Sequence, residues 1–222
     1  MPIYFCRLFL LFSTLLLSLP LKADNELIFS TLFRGSDHQD QISEQRLRNA
    51  YKQLGYNIRI VAYPGRRALL EANLGNVDGE FRRSKLDAKK YPNLIRVQAP
   101  VNHLELCAFG LTEQADFDGK NSLKNYKVGV IRGGRRSERL AALSAYSVRV
   151  SNTEQLTMML KSHRIQLGIG NCKSIADYKA QHKEDFHIYA PPLERIPLYH
   201  YLHRRHQDLV GPLTNILRRN QE

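Results

Sequence analysis

The sequence predicts an α/β fold. Short apolar or alternating runs typical of strands take turns along the chain with amphipathic stretches typical of helices. The 222 residues are 43% hydrophobic and 24% charged, which is enough apolar content for a packed core and excludes a disordered chain. No internal repeat and no linker rich in Ser, Gly or Pro interrupts this order. Strands separated by helices favour parallel pairing with right-handed crossovers.

The first half of the chain predicts five elements. An apolar run over 26–32 predicts a strand, and apolar residues at i, i+3, i+4 and i+7 predict a helix over 44–54 that ends at Gly55. Next come a strand, a helix that again ends at a glycine, and a further strand, over 56–62, 67–74 and 77–81.

The second half repeats this order. Arg132-Gly133-Gly134 forms a turn between a strand and a helix, and Asn152 or Thr153 caps another helix. The predicted strands cover 104–111, 127–131, 147–150 and 165–169, and the predicted helices begin near 137, 153, 174 and 209. These two clusters of elements indicate two lobes. We assign residues 24–100 and 190–222 to the first lobe and residues 101–189 to the second.

Residues 1–23 have the pattern of a signal peptide. Arg7 supplies a positive charge, a mostly apolar run follows, and Leu21-Lys22-Ala23 offers a cleavage site before Asp24. The apolar run is shorter than the roughly 18–20 residues that a membrane-spanning helix needs, which favours cleavage over the alternative of a membrane anchor. We therefore expect a periplasmic protein.

Charge and cysteine content narrow the choice of ligand and compartment. Removal of residues 1–23 takes away Arg7 and Lys22 and lowers the net charge from +12 to +10. This positive charge favours anionic ligands or surfaces. Cys107 and Cys172 remain. An oxidising compartment permits a disulfide between them, and two free buried thiols are an equal alternative.

Several segments, taken in order, resemble one bacterial family. They lie at 50–55 (AYKQLG), 63–69 (YPGRRAL), 75–83 (GNVDGEFRR), 91–97 (YPNLIRV) and 127–134 (KVGVIRGG). They are similar to extracellular solute-binding proteins of the amino-acid-binding type, and the resemblance extends over nearly all of the chain after the leader.

The resemblance implies a type II periplasmic-binding-protein fold. Two α/β lobes would be joined by crossover segments near 98–106 and 189–199, with a small solute held in the cleft and hinge closure around it. It implies a binding protein and not an enzyme, with no cofactor and no metal. The expected partners are an anionic or zwitterionic solute and an ABC-transporter permease, unless the protein is a stand-alone sensor. We expect a monomer that does not bind nucleic acid.

Arg83 is the first candidate for solute binding. In the family, an arginine after the first-lobe Gly…Asp strand clamps the solute carboxylate, and Arg83 follows Asp78 at that place. A planar guanidinium offers two parallel hydrogen bonds to a carboxylate. The alternative is that Arg82 and Arg83 are solvated charges at a strand end.

The second lobe supplies three more candidates. Gly134 and Arg135 lie where converging backbone N–H groups at a helix start favour an anion, and the family holds the acidic end of its ligand with this loop. A surface turn with solvated arginines is the alternative. Asn171 stands where many amino-acid-binding relatives carry Asp. Because Asn cannot neutralise an ammonium group, its presence favours a purely anionic solute.

Ser30, Tyr63 and Phe81 complete the candidate site. The family often takes ligand contacts from the end of the first strand, where Ser30 lies, although a hydroxyl there can instead satisfy local backbone groups. Tyr63 and Phe81 would form aromatic walls of the cleft, with burial in the core as the alternative.

Other functions have weaker support in the sequence. His200, His203 and His206 are spaced for a metal site on a helix, but no Cys or carboxylate completes a ligand set there, and solvated histidines are the preferred interpretation. The sequence contains no G-x-S-x-G, H-E-x-x-H or C-x-x-C motif. A dehydratase-like enzyme on the same fold and a basic protein that binds polyanions are the alternatives.

Overall fold

The computed structural model describes residues 25–32, 38–64, 66–112 and 116–219. The predicted signal peptide lies outside these residues. The strands are β1 (Glu26–Thr31), β2 (Asn57–Ala62), β3 (Gly79–Arg83), β4 (Leu94–Gly110), β5 (Lys127–Ile131), β6 (Tyr146–Val150), β7 (Leu167–Asn171), β8 (His187–Ile188) and β9 (Glu194–His203). The helices are α1 (His38–Gln53), α2 (Arg67–Leu74), α3 (Arg135–Ala141), α4 (Thr153–Lys161), α5 (Cys172–His182) and α6 (Gln207–Arg219). Two 3₁₀ helices cover Lys120–Asn125 and Arg204–His206.

These strands form one curled sheet in the order β2-β1-β3-β9-β4-β7-β5-β6, with β8 beside β4. The structure confirms the predicted α/β class. β1 pairs in parallel with β2 and β3, and β5 pairs in parallel with β6 and β7, as expected of strands joined by helices. Between these two parallel groups run β4 and β9, which are antiparallel to each other.

The central strand β4 is longer than the sequence indicated. It extends without a break over Leu94–Gly110, so it contains the strand predicted at 104–111 up to residue 110 and also residues 94–103 before it. The register between β4 and β9 shifts on either side of Pro100, where the missing backbone N–H cannot join a regular ladder.

Helix ends follow the chemistry that their sequences suggested. Gly75 adopts a left-handed conformation with φ 79° and ends α2. The Asn152 side chain accepts a hydrogen bond from the Gln155 backbone N–H at 2.8 Å and caps α4. α3 begins at Arg135, two residues before its predicted start, and ends at Ala141.

The two parallel groups have separate cores. The first lobe, built on β1, β2 and β3 with α1, α2 and α6, buries a cluster around Phe29, Leu47, Tyr51 and Leu213. The second lobe, built on β5, β6 and β7 with α3, α4 and α5, buries two further clusters. The lobe boundaries predicted in residue numbers stay a prediction, since β4 and β9 run through both lobes.

The last described helix returns the chain to the first lobe. Four apolar residues of α6, spaced along one face, pack into the first core: Leu209, Leu213, Ile216 and Leu217. None of the helices in the described residues is long and apolar enough to span a membrane.

Candidate functional site

The carboxyl ends of the parallel strands in both lobes point toward the same part of the β4–β9 ladder. Arg83 at the end of β3 is opposite Tyr199, which is opposite Pro100. Asn171 at the end of β7 is opposite Leu106. Pro100 and Leu106 are six positions apart on β4, or about 20 Å of strand. Because ligands of α/β sheets bind outside the carboxyl ends of strands, this segment marks the cleft.

The sequence-predicted site residues divide between the two edges of this cleft. β1 and β2 end side by side, and the Tyr63 backbone N–H bonds the Thr31 carbonyl oxygen at 2.9 Å. Gly134 and Arg135 follow β5, which pairs with β7. The first-lobe edge therefore carries Ser30, Tyr63 and Arg83, and the second-lobe edge carries Gly134, Arg135 and Asn171.

Ser30, Glu80 and Arg83 form a hydrogen-bonded chain at the first-lobe edge. Both Ser30 and Glu80 are fully buried. The Ser30 hydroxyl donates to Glu80 Oε2 at 2.7 Å, and Arg83 Nε donates to Glu80 Oε1 at 2.6 Å. Burial raises the pKa of Glu80 above its ordinary value, and the charge of Arg83 and the hydroxyl of Ser30 oppose that rise.

One end of the Arg83 guanidinium has no hydrogen-bond partner among the described residues. Nη2 is buried and makes no hydrogen bond to any described residue. A buried charged donor without an acceptor costs more than an ordinary missing hydrogen bond. Since Glu80 already fixes Nε, the orientation of the guanidinium is set, and Nη2 keeps N–H groups that no described residue accepts.

The two predicted aromatic walls have different positions. The Phe81 ring is 3% exposed and packs in the first core, so the structure places it there and not on the cleft surface. The Tyr63 ring is partly buried against a neighbouring apolar cluster, and the Arg67 guanidinium carbon lies 5.7 Å from the ring centre. Tyr63 thus keeps a position at the end of β2, whereas Phe81 belongs to the first core.

The turn at Gly133 and Gly134 is held by hydrogen bonds to the first turn of α3. Gly133 has φ 92°, and its N–H donates to Glu138 Oε1 at 2.7 Å. The Ser137 hydroxyl donates to the Gly134 carbonyl oxygen at 2.9 Å. From the sequence, the backbone N–H groups of this loop are expected to bind a ligand anion. One of them, the N–H of Gly133, is already bound by the Glu138 carboxylate. The Arg135 side chain is exposed.

Asn171 serves as the cap of α5. Its Oδ1 accepts from the Ser174 backbone N–H at 2.9 Å and from the Ser174 hydroxyl at 3.2 Å. The next residue, Cys172, forms a disulfide with Cys107 of β4, with 5.0 Å between their Cα atoms. Of the two alternatives for these cysteines, the structure therefore contains the disulfide, which joins the start of α5 to the central strand.

Comparison with known proteins finds one relative by sequence and several solved structures of similar fold. An uncharacterized protein from Shewanella oneidensis is 29% identical over 181 residues, covering 78% of this chain and 69% of that protein. Holo ArgBP from T. maritima matches with a TM-score of 0.58 and 13% identity, over 90% of this chain and 92% of that one. The GluR0 ligand-binding core in complex with L-glutamate matches with a TM-score of 0.64 and 14% identity, over 86% and 90%. No family model matches.

These matches to solved structures cover 86–90% of the chain. The chain has the type II periplasmic-binding-protein fold. Its matched neighbours are ligand-binding proteins, as the resemblance in the sequence implied. At 13–14% identity the likeness concerns the fold, and the ligand has to be argued from the side chains.

No local sequence pattern indicates one polar cluster of this periplasmic-binding-protein fold. Glu194, the first residue of β9, accepts hydrogen bonds at Oε1 from Lys120 Nζ at 3.0 Å and from Arg139 at 2.9 Å. Arg136 approaches its other oxygen to 3.9 Å. Burial acts to raise the Glu194 pKa, but the hydrogen bonds from Lys120 and Arg139 hold it below its ordinary value. The cluster joins residues 74 positions apart, which no local pattern reveals.

A cavity of about 500 Å³ opens beside this cluster. It lies along the first residues of β9, between the end of β3 and the helices of the second lobe. Half of its lining residues are basic and one is acidic: Lys85, Lys120, Arg136, Leu193, Glu194, Arg195, Ile196 and Pro197. Its volume suits a small molecule.

The histidine segment does not form a helix. His200 and His203 lie on β9, and His206 ends a 3₁₀ turn. His200 is fully buried, so the interpretation of all three as solvated residues is wrong for this one. His206 Nε2 lies 2.6 Å from Asp78 Oδ1, and Arg205 also pairs with that oxygen at 2.6 Å. Among the described residues, no group of three or more His, Cys, Asp or Glu is placed to hold a metal.

Proposed function

We propose that the protein is a periplasmic solute-binding protein that captures a small carboxylate-bearing solute, an amino acid or a related acid, between its lobes. The observation that carries the proposal is Nη2 of Arg83, buried at the cleft edge without a partner among the described residues. A carboxylate oxygen is the acceptor that suits a guanidinium N–H. Matched structures include complexes with L-glutamate and with arginine, and both of these ligands carry a carboxylate.

The β4–β9 ladder supports a hinge mechanism. It contains the crossover predicted near 98–106 and residues 194–199 of the one predicted near 189–199, and its register is irregular between Arg96 and Asn102. A solute that contacts both edges of the cleft would stabilise the closed arrangement over the open one. The closed protein would then deliver the solute to an ABC-transporter permease or signal its presence to a sensor.

Two observations support a periplasmic location. Residues 1–23 have the pattern of a cleaved leader, and Cys107 and Cys172 form a disulfide, which is typical of oxidising compartments. Expression of the full chain in a Gram-negative host, followed by fractionation and intact-mass measurement, tests this location. We expect a periplasmic product that begins at Asp24. A cytoplasmic product of full length would contradict it.

A binding screen tests the function. Thermal unfolding of the purified protein is followed with amino acids, short peptides, dicarboxylates and sugar acids, and each positive result is measured by calorimetry. A true ligand at a hundred times Kd stabilises the protein by about 2.7 kcal/mol and is recovered unchanged. Arg83→Gln is expected to weaken binding at least about tenfold, because it removes the charged donor.

Arg59→Gln is the matched control, since Arg59 lies on β2 in an exposed pair with Glu26 at 3.0 Å. This variant should bind as the wild type does. Equal loss in both variants would contradict the assigned role of Arg83. Salt-sensitive binding of heparin or DNA, with no response to any small acid, would replace the proposal by polyanion binding. Chemical conversion of the ligand would replace it by an enzyme activity.

A further inference from the structure

We infer that the basic cavity beside β9 is a second anion subsite, so that the solute carries at least two anionic groups: one carboxylate at Arg83 and a second oxyanion, carboxylate or phosphate, at Lys85 and Arg136. This inference rests on the proposed function and specifies its solute class.

The cavity adjoins the Arg83 position. Arg83 is opposite Tyr199 on β9, and the cavity is lined by the same strand from Glu194 to Pro197. Pro197 is two residues from Tyr199, or about 7 Å along a strand. Lys85, which also lines the cavity, follows Arg83 by two residues. One small molecule can therefore contact Arg83 at one end and the cavity at the other.

The cations of the cavity come from both lobes. Lys85 follows the last strand of the first lobe, whereas Arg136 lies in the first turn of α3 and Lys120 in the 3₁₀ helix before β5. Closure of the cleft would bring these like charges toward one another, which is unfavourable in a site with little water. A bound oxyanion between them would offset that repulsion and favour the closed form.

The acidic groups present do not balance these charges. Glu194 lines the cavity, but its two hydrogen bonds, from Lys120 and Arg139, are both to Oε1, and its buried Oε2 accepts none from any described residue. Arg195 pairs outside this cluster with Glu105 at 3.1 Å. Arg136 stays 3.9 Å from Glu194, beyond hydrogen-bond distance.

Lys85 is exposed and makes no ion pair with any described residue. Together with Arg136, it leaves two cations without a hydrogen-bonded counter-charge at one cavity of about 500 Å³. Two donors of this kind match a doubly charged group or a second carboxylate. The volume also exceeds what a monocarboxylate of a few carbon atoms fills.

A charge series tests the inference. Butyrate, succinate and tricarballylate carry one, two and three carboxylates on short carbon chains, and phosphonoacetate replaces one carboxylate by a phosphonate. Calorimetry at fixed ionic strength gives Kd for each acid. We expect at least one of the three polyanions to bind about tenfold or more tightly than butyrate. Preference for phosphonoacetate over succinate would identify a phosphate-type group, and the reverse a carboxylate.

Two variants locate the second subsite. Lys85→Gln and Arg136→Gln should each weaken the preferred polyanion about tenfold and change butyrate binding by no more than about twofold. Their controls are Lys89→Gln in the same loop and Arg164→Gln in the second lobe, both exposed positions outside the cavity that remove the same charge. The controls should bind all four acids as the wild type does.

Glu194→Gln makes the cavity more positive, whereas Lys85→Gln and Arg136→Gln make it less positive. It removes the negative charge and releases Lys120 and Arg139, so it should strengthen polyanion binding severalfold. Weaker binding in this variant would overturn the inference and point to a cationic group on the solute. Equal affinity for butyrate and all polyanions would also overturn it, while binding of butyrate that depends on Arg83 would leave the proposed function intact. Binding of no small acid at all would overturn both.

Discussion

Tyr51 of α1 and His200 of β9 meet inside the first core, with 2.8 Å between the Tyr51 hydroxyl oxygen and His200 Nε2. His200 Nδ1 lies 3.0 Å from the Phe81 carbonyl oxygen, which can only accept. Nδ1 therefore carries the proton, and the Tyr51 hydroxyl donates to Nε2. Protonation of the ring would force the Tyr51 hydroxyl to turn from donor to acceptor and would leave a charge in the buried core, so the fold favours the neutral form.

This arrangement predicts a loss of stability in mild acid. The pKa of His200 falls from 6.5 to about 4, chiefly because burial disfavours the charged ring. Between these two values the unfolded chain binds a proton that the folded chain does not. The contribution of neutral His200 to the free energy of unfolding is complete above pH 6.5. It is lost as the pH falls toward 4, and the total loss is about 3 kcal/mol. Urea unfolding at a series of pH values measures it.

His200→Asn provides the comparison, because Asn keeps a donor near Nδ1 and does not titrate. Glu80 has a raised pKa, so it makes the folded protein more stable as the pH falls. His103 and His203 have lowered pKa values, so they make it less stable as the pH falls, as His200 does. Their effects are common to both proteins. The difference between the wild type and His200→Asn should therefore shrink as the pH falls from 6.5 to 4, and a constant difference would contradict the assignment.

Ser30 is expected to stabilise the charged form of Glu80. Its hydroxyl lies 2.7 Å from Glu80 Oε2 and 2.9 Å from the Ala68 carbonyl oxygen. Ser30→Ala should lower the free energy of unfolding by about 1–3 kcal/mol at pH 7 and by less in acid, where Glu80 is protonated. Chemical denaturation at both pH values measures this loss. Ser162→Ala, at an exposed helix end, should change stability by less than about 0.5 kcal/mol.

Gly79 permits the close approach of β3 and β9. A Cβ atom at this position would lie 2.0 Å from the Tyr201 carbonyl oxygen, which belongs to the backbone and cannot rotate away. Gly79→Ala should lower the free energy of unfolding by about 3 kcal/mol or more. Gly211→Ala is the counterpart: inside α6, with open space around the added Cβ, it should raise stability by about 1 kcal/mol. Urea midpoints that move together would contradict this explanation.

The disulfide should contribute strongly to stability. Cys107 and Cys172 close a loop with a sequence separation of 65 residues. Chain-entropy arguments give about 4 kcal/mol for a loop of this length. The double variant Cys107→Ala, Cys172→Ala should lose that amount in urea unfolding, and a reductant should lower the wild type to a similar stability without affecting the variant.

The sequence predicts most elements of the fold because their signals are local. The helix ending at Gly75 and the cap at Asn152 depend on neighbouring residues, and both are confirmed. The full length of β4 was missed because Pro100 and the polar residues around it weaken the strand pattern. That segment is held by pairing with β9, whose residues lie about a hundred positions away, and tertiary pairing can override local propensity.

The candidate site was less predictable than the fold. The structure places Arg83 at the end of β3 and Asn171 at the end of β7, one in each lobe, and their contact with a solute stays a prediction. The burial of Glu80 and His200 was not predicted, since charged and polar residue types are usually exposed and their partners here come from other elements. The cluster of Glu194 with Lys120 and Arg139 was not predicted either, because its members come from distant parts of the chain.

The return of α6 to the first lobe has a consequence for the order of folding. Leu209, Leu213 and Leu217 complete a core whose other members include Leu27 and Phe29 of β1. A ribosome or an export channel releases the chain from its amino end, so β1 is available long before α6. The elements of the second lobe are contiguous and can pack as soon as they emerge. The lobe that is synthesised first is therefore finished last, and until then its apolar surface is exposed to chaperones and to aggregation.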